Sequence, residues 1–298
     1  DSPDIPLNVS RLYLQSDGNV KKISTHITKK VADKLAEMFK KDRVDFEAKW
    51  ADLKVFVEYG TLMDEKFAEK AKTFTLLKSL DGKFYTVEEY LEKVKPLQTD
   101  KDNKLVLLYT SDEEGQYRYV KVAKDRGYDV LVIDGPLAPH WISKFEQDNQ
   151  NVTLTRVDAD SIDNLIKKDE EIPSKLTKED EENVKVVFEE VVDKEKFNIE
   201  LKSMSPTDAP IIITQPEFIR RMMEQQKLGG NAFFGAFPET YKVMVNANHP
   251  KIEAITKESD NSAKTEKAKQ LTDLALLSQG LLKGEALDKF IERSINLV

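Results

Sequence analysis

Arg11 and Gln15 carry the clearest chemical possibility in the sequence. They lie in Asn8-Val9-Ser10-Arg11-Leu12-Tyr13-Leu14-Gln15. Ser10 is a good helix cap, and a helix started there puts Arg11 and Gln15 four apart on one face. Such a face can present a guanidinium fork to a phosphate brought in by another domain, as an arginine finger does. An ordinary capped helix with a surface arginine fits the same spacing. Other catalytic signatures are missing. Gly230 and Gly235 have the spacing of a phosphate loop, but Ala236-Phe237 follow where lysine and a hydroxyl residue are needed. There is no GxGxxG, GxSxG or HExxH run. His26, His140 and His249 are too scattered for a ligand cluster, and no carboxylate pair stands out as an acid/base couple. With no cysteine, disulfides, thiol catalysis and thiolate metal sites are excluded, and no metal centre is expected.

The elements that would hold these residues read as two blocks. Val20, Ile23, Ile27, Val31, Leu35, Met38 and Phe39 recur at helical spacing, and Phe46, Trp50, Leu53 and Val57 repeat the signal up to Gly60, a C′ candidate. A shorter helix holds Phe67 and Ala71. Phe74–Leu77, an Asp81-Gly82 turn and Phe84–Thr86 form a hairpin pattern. Leu105–Tyr109, Val130–Ile133 and Val152–Val157 are strand-like and alternate with helical stretches at Tyr117–Arg126 and Leu137–Gln147, the alternation of a small doubly wound α/β unit. Residues 158–195 are rich in carboxylates and contain no arginine, and 167–174, punctuated by Pro173, reads as a linker. Thr177-Lys178-Glu179-Asp180 resembles a capping box. Beyond it come strands at Phe197–Met204, Pro210–Thr214 and Thr240–Asn246, a helix at Pro216–Gln226, and a helical end. The expected architecture is an α/β segment over 1–172 and an α+β domain over 173–298 that closes in helices.

Composition narrows the function class. Charged residues make up 34% and the formal net charge is −8, which argues against general nucleic-acid binding, a role that needs a basic stripe. No run of about 18 apolar residues is present, and no basic-then-apolar leader, so neither membrane nor export is expected and a cytoplasmic protein is. The chain opens at Asp1 without an initiating methionine, so a preceding N-terminal partner domain is expected.

Two apolar features invite partners. Phe218, Met222 and Met223 lie in a segment that runs into a glycine-flanked stretch, and read equally as an adaptable exposed patch or as a core helix with a buried loop. Leu274, Leu277 and Leu281, then Leu287, Phe290 and Ile291, form two amphipathic stripes with a break near Gly284. They can fold against the domain's own sheet or pair with a second copy as a four-helix bundle.

The stretch from Ile5 to Gln15, the following lysine-rich helix ending in Met38-Phe39, Phe46-Glu47-Ala48-Lys49-Trp50, Glu58-Tyr59-Gly60, Leu107-Leu108-Tyr109 and Gly127-Tyr128-Asp129-Val130-Leu131 resemble the heat shock protein 90 chaperones, bacterial type. The resemblance covers the whole chain, in the last third by pattern more than by motif. It implies the end of a middle domain followed by a C-terminal dimerisation domain. It implies that Arg11 reaches the ATP γ-phosphate, supported by Asn8 and Gln15, and that ATP and Mg are bound by an N-terminal domain this chain lacks. The intact protein would then be an ATPase and this chain inactive alone. It further implies a homodimer through the terminal helices, and unfolded clients touching the Met222–Met223 helix and Trp141, although a half-buried packing tryptophan is the other reading there. The chain ends in Asn296-Leu297-Val298 and not in the acidic tail that bacterial members, and organellar ones too, lack, so acidic-tail co-chaperones are not expected as partners. Two rival readings are a doubly wound enzyme with its crevice at the ends of Tyr109, Ile133 and Val157, and a pure dimerisation scaffold without affinity for unfolded chains.

Overall fold

A computed structural model describes residues 18–168, 172–229 and 239–296. It has a mixed α/β fold with three small sheets, ordered β1-β2, β4-β3-β5 and β6-β8-β7. Their strands are β1 (Leu76–Lys78), β2 (Phe84–Thr86), β3 (Leu105–Thr110), β4 (Val130–Val132), β5 (Val152–Arg156), β6 (Phe197–Lys202), β7 (Ile211–Thr214) and β8 (Tyr241–Asn246). The chain divides into two compact units, Asp1–Leu97 with Leu131–Val152, and Gln98–Val130 with Thr153–Val298.

In the first unit, α1 (Gly18–Lys41), α2 (Arg43–Ala48), α3 (Trp50–Met63) and α4 (Glu65–Ala71) surround an aromatic centre. Phe46 meets Phe39, Trp50 and Phe74 at ring-centre distances of 5.4, 5.9 and 6.2 Å, the edge and tilted contacts that aromatic quadrupoles favour. Asp42 and Asp64 start α2 and α4 by accepting from the backbone N–H three residues on. The expectation that Gly60 ends a helix is corrected: α3 continues through it to Met63. A Cβ on Gly60 would stand 2.6 Å from the Phe67 ring, so the glycine lets α4 approach closely. The hairpin forms as expected, with Leu77 opposite Tyr85. Helix α5 (Val87–Gln98) is an element the sequence reading does not contain. It starts with a reciprocal pair: the Thr86 N–H donates to Glu89 and the Glu89 N–H donates to the Thr86 hydroxyl.

In the second unit, α6 (Tyr117–Asp125) follows β3, and the short α8 (Ile162–Leu165) and α9 (Lys178–Glu190) precede β6; α7 (Ala138–Asp148) belongs to the first unit. Thr177 caps α9 as the sequence suggests, accepting from the Asp180 N–H at 3.1 Å. Strand β8 is central to its sheet, parallel to β6 and antiparallel to β7, with Ile199 and Ile213 flanking Val243. That face packs against Val184 and Phe188 of α9, Ile252 and Ile255 of α11 (Pro250–Thr256), and Ala268 and Ala275 of α12 (Asn261–Ser278). The chain then turns into α13 (Gly284–Ile295). His249, unassigned in the sequence, caps α11: its Nδ1 accepts from the Lys251 N–H at 3.1 Å.

Candidate functional site

Helix α10 (Glu217–Gly229) turns the usual amphipathic arrangement inside out. Helical spacing puts Glu217, Arg220, Arg221 and Glu224 on its inner side, where Arg220 is only 4% exposed. Arg220 donates to Glu224 at 2.6 Å and to the Tyr109 hydroxyl at 2.5 Å, and it pairs with Glu217. The Tyr109 hydroxyl donates in turn to Glu217 at 3.2 Å. Arg221 donates to Glu217 at 2.7 Å and to the Leu154 carbonyl. Arg156 continues the chain, forking onto Asp158 at 2.6 and 2.9 Å, and Gln116 donates to the same carboxylate at 3.1 Å. The helix is thereby bolted to β3 and β5 through charge. Burial pushes the Tyr109 hydroxyl well above its ordinary range, helped by Glu217. Burial would also raise Glu217, but the two arginines overcome it and hold that carboxyl below its usual range. With a tyrosine kept protonated and a carboxylate kept charged, the cluster is a fixed ionic bracket.

The first turns of α10 carry apolar residues away from the bracket. Phe218 is 70% exposed, and Met222, one turn later, is half-buried, as is Met223. Gln215 donates to the Met223 sulfur at 3.4 Å, which turns that thioether partly back to the chain. Burying ion pairs while a phenylalanine stays in water runs against the transfer free energies of both groups.

The terminal helices also leave apolar residues outside. Leu274, Leu277, Ile291 and Ile295 are exposed, Ile295 to 68%, while Leu281 and Leu287 are half-buried. Phe290 corrects the expectation: at 6% exposed it turns into its own chain, roughly 100° around α13 from Ile291. The α12–α13 hairpin is held by a polar pair that the leucine pattern does not reveal. Asp273 is almost fully buried, bonds Lys269 at 3.0 Å and pairs with Arg293, while Gln270 donates to Ser294 at 2.9 Å.

Trp141, in the first unit, is a second correction. It is 6% exposed and packs on Phe145 with ring centres 5.1 Å apart, so it is a wall residue and not a displayed anchor. Its helix α7 begins with Ala138-Pro139, and Trp141, Ile142 and Phe145 form one inward stripe. Asn8, Arg11 and Gln15 lie outside the described residues.

A family model described as Hsp90 protein matches residues 1–294. The chain belongs to the Hsp90 family. It is 42% identical to the chaperone protein HtpG of Porphyromonas gingivalis, over the whole of this chain and 54% of that protein. The HtpG of Bacteroides fragilis is 37% identical over the same shares, and that of Bdellovibrio bacteriovorus 26% identical over 94% of this chain and 45% of its own. The chain therefore spans about half the length of the Hsp90 relatives it matches. The alignment with the Porphyromonas protein runs to 366 positions, more than the 298 residues here, so that relative carries additional residues inside the matched region. No helix among the described residues is long and apolar enough to cross a membrane.

Proposed function

We propose that this chain is the client-handling and dimerising half of an ATP-driven cytoplasmic chaperone, with the end of a middle domain over 1–172 and a dimerisation domain over 173–298. The observation that carries the reading is the inverted helix α10. Its ionic side is consumed by Tyr109, Arg156 and the strand backbone, and its apolar side has Phe218 in solvent. A helix fixed from behind can hold an apolar face out without collapsing, which is what binding partly folded clients requires. Methionine beside phenylalanine suits that task, since thioethers repack against varied partners.

Phe218→Ser with Met222→Ser tests this. The double variant is expected to lose at least half of the chain's suppression of aggregation of a heat-unfolded model enzyme. Because Phe218 already faces water, its melting temperature should stay within about 3 °C of wild type. Unchanged suppression would reject α10 as the client surface.

ATP, Mg and turnover belong in this reading to the intact protein. A guanidinium at Arg11 would meet the γ-phosphate, with Asn8 and Gln15 supporting the same segment. Arg11→Ala in the full-length protein is expected to lower ATP turnover about 10³-fold, the worth of an arginine finger, with nucleotide affinity within a factor of two or three. Equal turnover in both proteins would remove Arg11 from the reaction. The rival doubly wound enzyme gains no support at the end of β3, where Tyr109 is locked into the bracket.

A further inference from the structure

A cavity of about 190 Å³ lies within the first unit. Trp50, Val57, Leu76, Leu131 and Trp141 form its apolar walls, and Glu58 reaches into it from α3. The Glu58 side chain is 8% exposed. Its carboxylate accepts no hydrogen bond from the described residues, and the nearest cation, the Lys54 ammonium, stands 3.9 Å away. Lys54 is engaged elsewhere: it donates to the Asp134 carboxylate at 2.6 Å and to the Asp134 carbonyl at 2.8 Å. Asp134 takes both hydrogen bonds of Lys54, and Glu58, within ion-pair reach of the same ammonium, faces the cavity with open acceptor positions and both tryptophans in the lining.

Acceptors that open onto a cavity can take a donor from a ligand in place of water. The volume exceeds the roughly 150 Å³ that admits benzene into an apolar cavity. The aromatic walls attract a flat cation, and a carboxylate takes a planar N–H fork in two parallel hydrogen bonds. We propose that this cavity binds a small planar organic cation, an amidinium or guanidinium carried on a single ring, with Glu58 as its anion and Trp50 and Trp141 as its walls.

Trp50 and Trp141 are the only tryptophans in the sequence, so intrinsic fluorescence reads occupancy directly. Benzamidine titrated into the full chain at pH 8 is expected to give a saturable change. Glu58→Gln, which keeps the shape and removes the charge, should weaken binding about tenfold or more, and benzyl alcohol should bind wild type no better than benzamidine binds that variant. A pH profile of wild type provides a readout that needs no variant. Burial raises the free Glu58 carboxyl to about 7, while Lys54 opposes and Asp134 assists. Lys54 holds the Asp134 carboxyl below its usual range, and Lys78 is the other cation lining the cavity. The ligand requires the ionised Glu58, so affinity should fall about tenfold between pH 8 and pH 6 and level off above. No saturable change in wild type, equal affinity in Glu58→Gln, or a flat pH profile would each overturn the proposal.

Discussion

Arg220→Ala should lower the stability of the second unit by about 3–5 kcal/mol, the cost of removing one partner from a buried ion pair. Arg220 neutralises Glu217 and Glu224 and donates to Tyr109, so its loss leaves two partly buried carboxylates and a buried hydroxyl short of a donor. A fall of roughly ten degrees in melting temperature follows for a unit of this size. Arg220→Lys should recover part of the charge but not the fork, because an ammonium cannot reach Tyr109, Glu217 and Glu224 together. Arg220→Met with Glu217→Gln should cost less than either single change, since the penalty comes from stranding a charge and not from losing the pair. Calorimetry of these variants and of the two single changes checks the order. Additive costs would mean that the bracket is solvated and structurally idle.

Leu277→Asp with Ile291→Asp should turn the proposed dimer into a folded monomer. Both residues are exposed in the single chain, so neither change touches its core. Both side chains are a little under half exposed in the single chain, so the four in a dimer would lose burial worth about 0.7–1.4 kcal/mol each, and four carboxylates would enter the contact. A loss of about 3 kcal/mol from burial alone raises the dissociation constant some two decades. Phe290→Asp is the wrong test of the interface, because that ring lies inside its own subunit and its loss should unfold the hairpin.

Much of the fold is legible locally. The Asp81-Gly82 hairpin, the alternation from β3 to β5, and the Thr177 cap are short-range signals, and the structure contains them. Helix α5 carried a comparable signal in Thr86-x-x-Glu89, but Pro96 near its end argues against a helix in the sequence while sitting inside one in the structure. The site residues divide differently. Glu217, Arg220, Arg221 and Glu224 look like a solvated helix face, and nothing nearby in sequence tells that Tyr109, over a hundred residues earlier, buries them. Phe290 differs from expectation for a related reason: an amphipathic stripe tells which residues are apolar, while packing decides which of two neighbouring directions meets the core; the display of Trp141 rests on the resemblance alone, and the alternative of a packing tryptophan is the one the structure contains. Leu274, Leu277 and Phe218 stay outside.

The measurement closest to the central claim is the solution mass of the chain at micromolar concentration, by light scattering, beside the Leu277→Asp, Ile291→Asp variant. The account predicts about twice the 34.1 kDa chain mass for the wild type and the single-chain mass for the variant, with unchanged circular dichroism. A monomeric wild type, or a variant that remains dimeric, would contradict it.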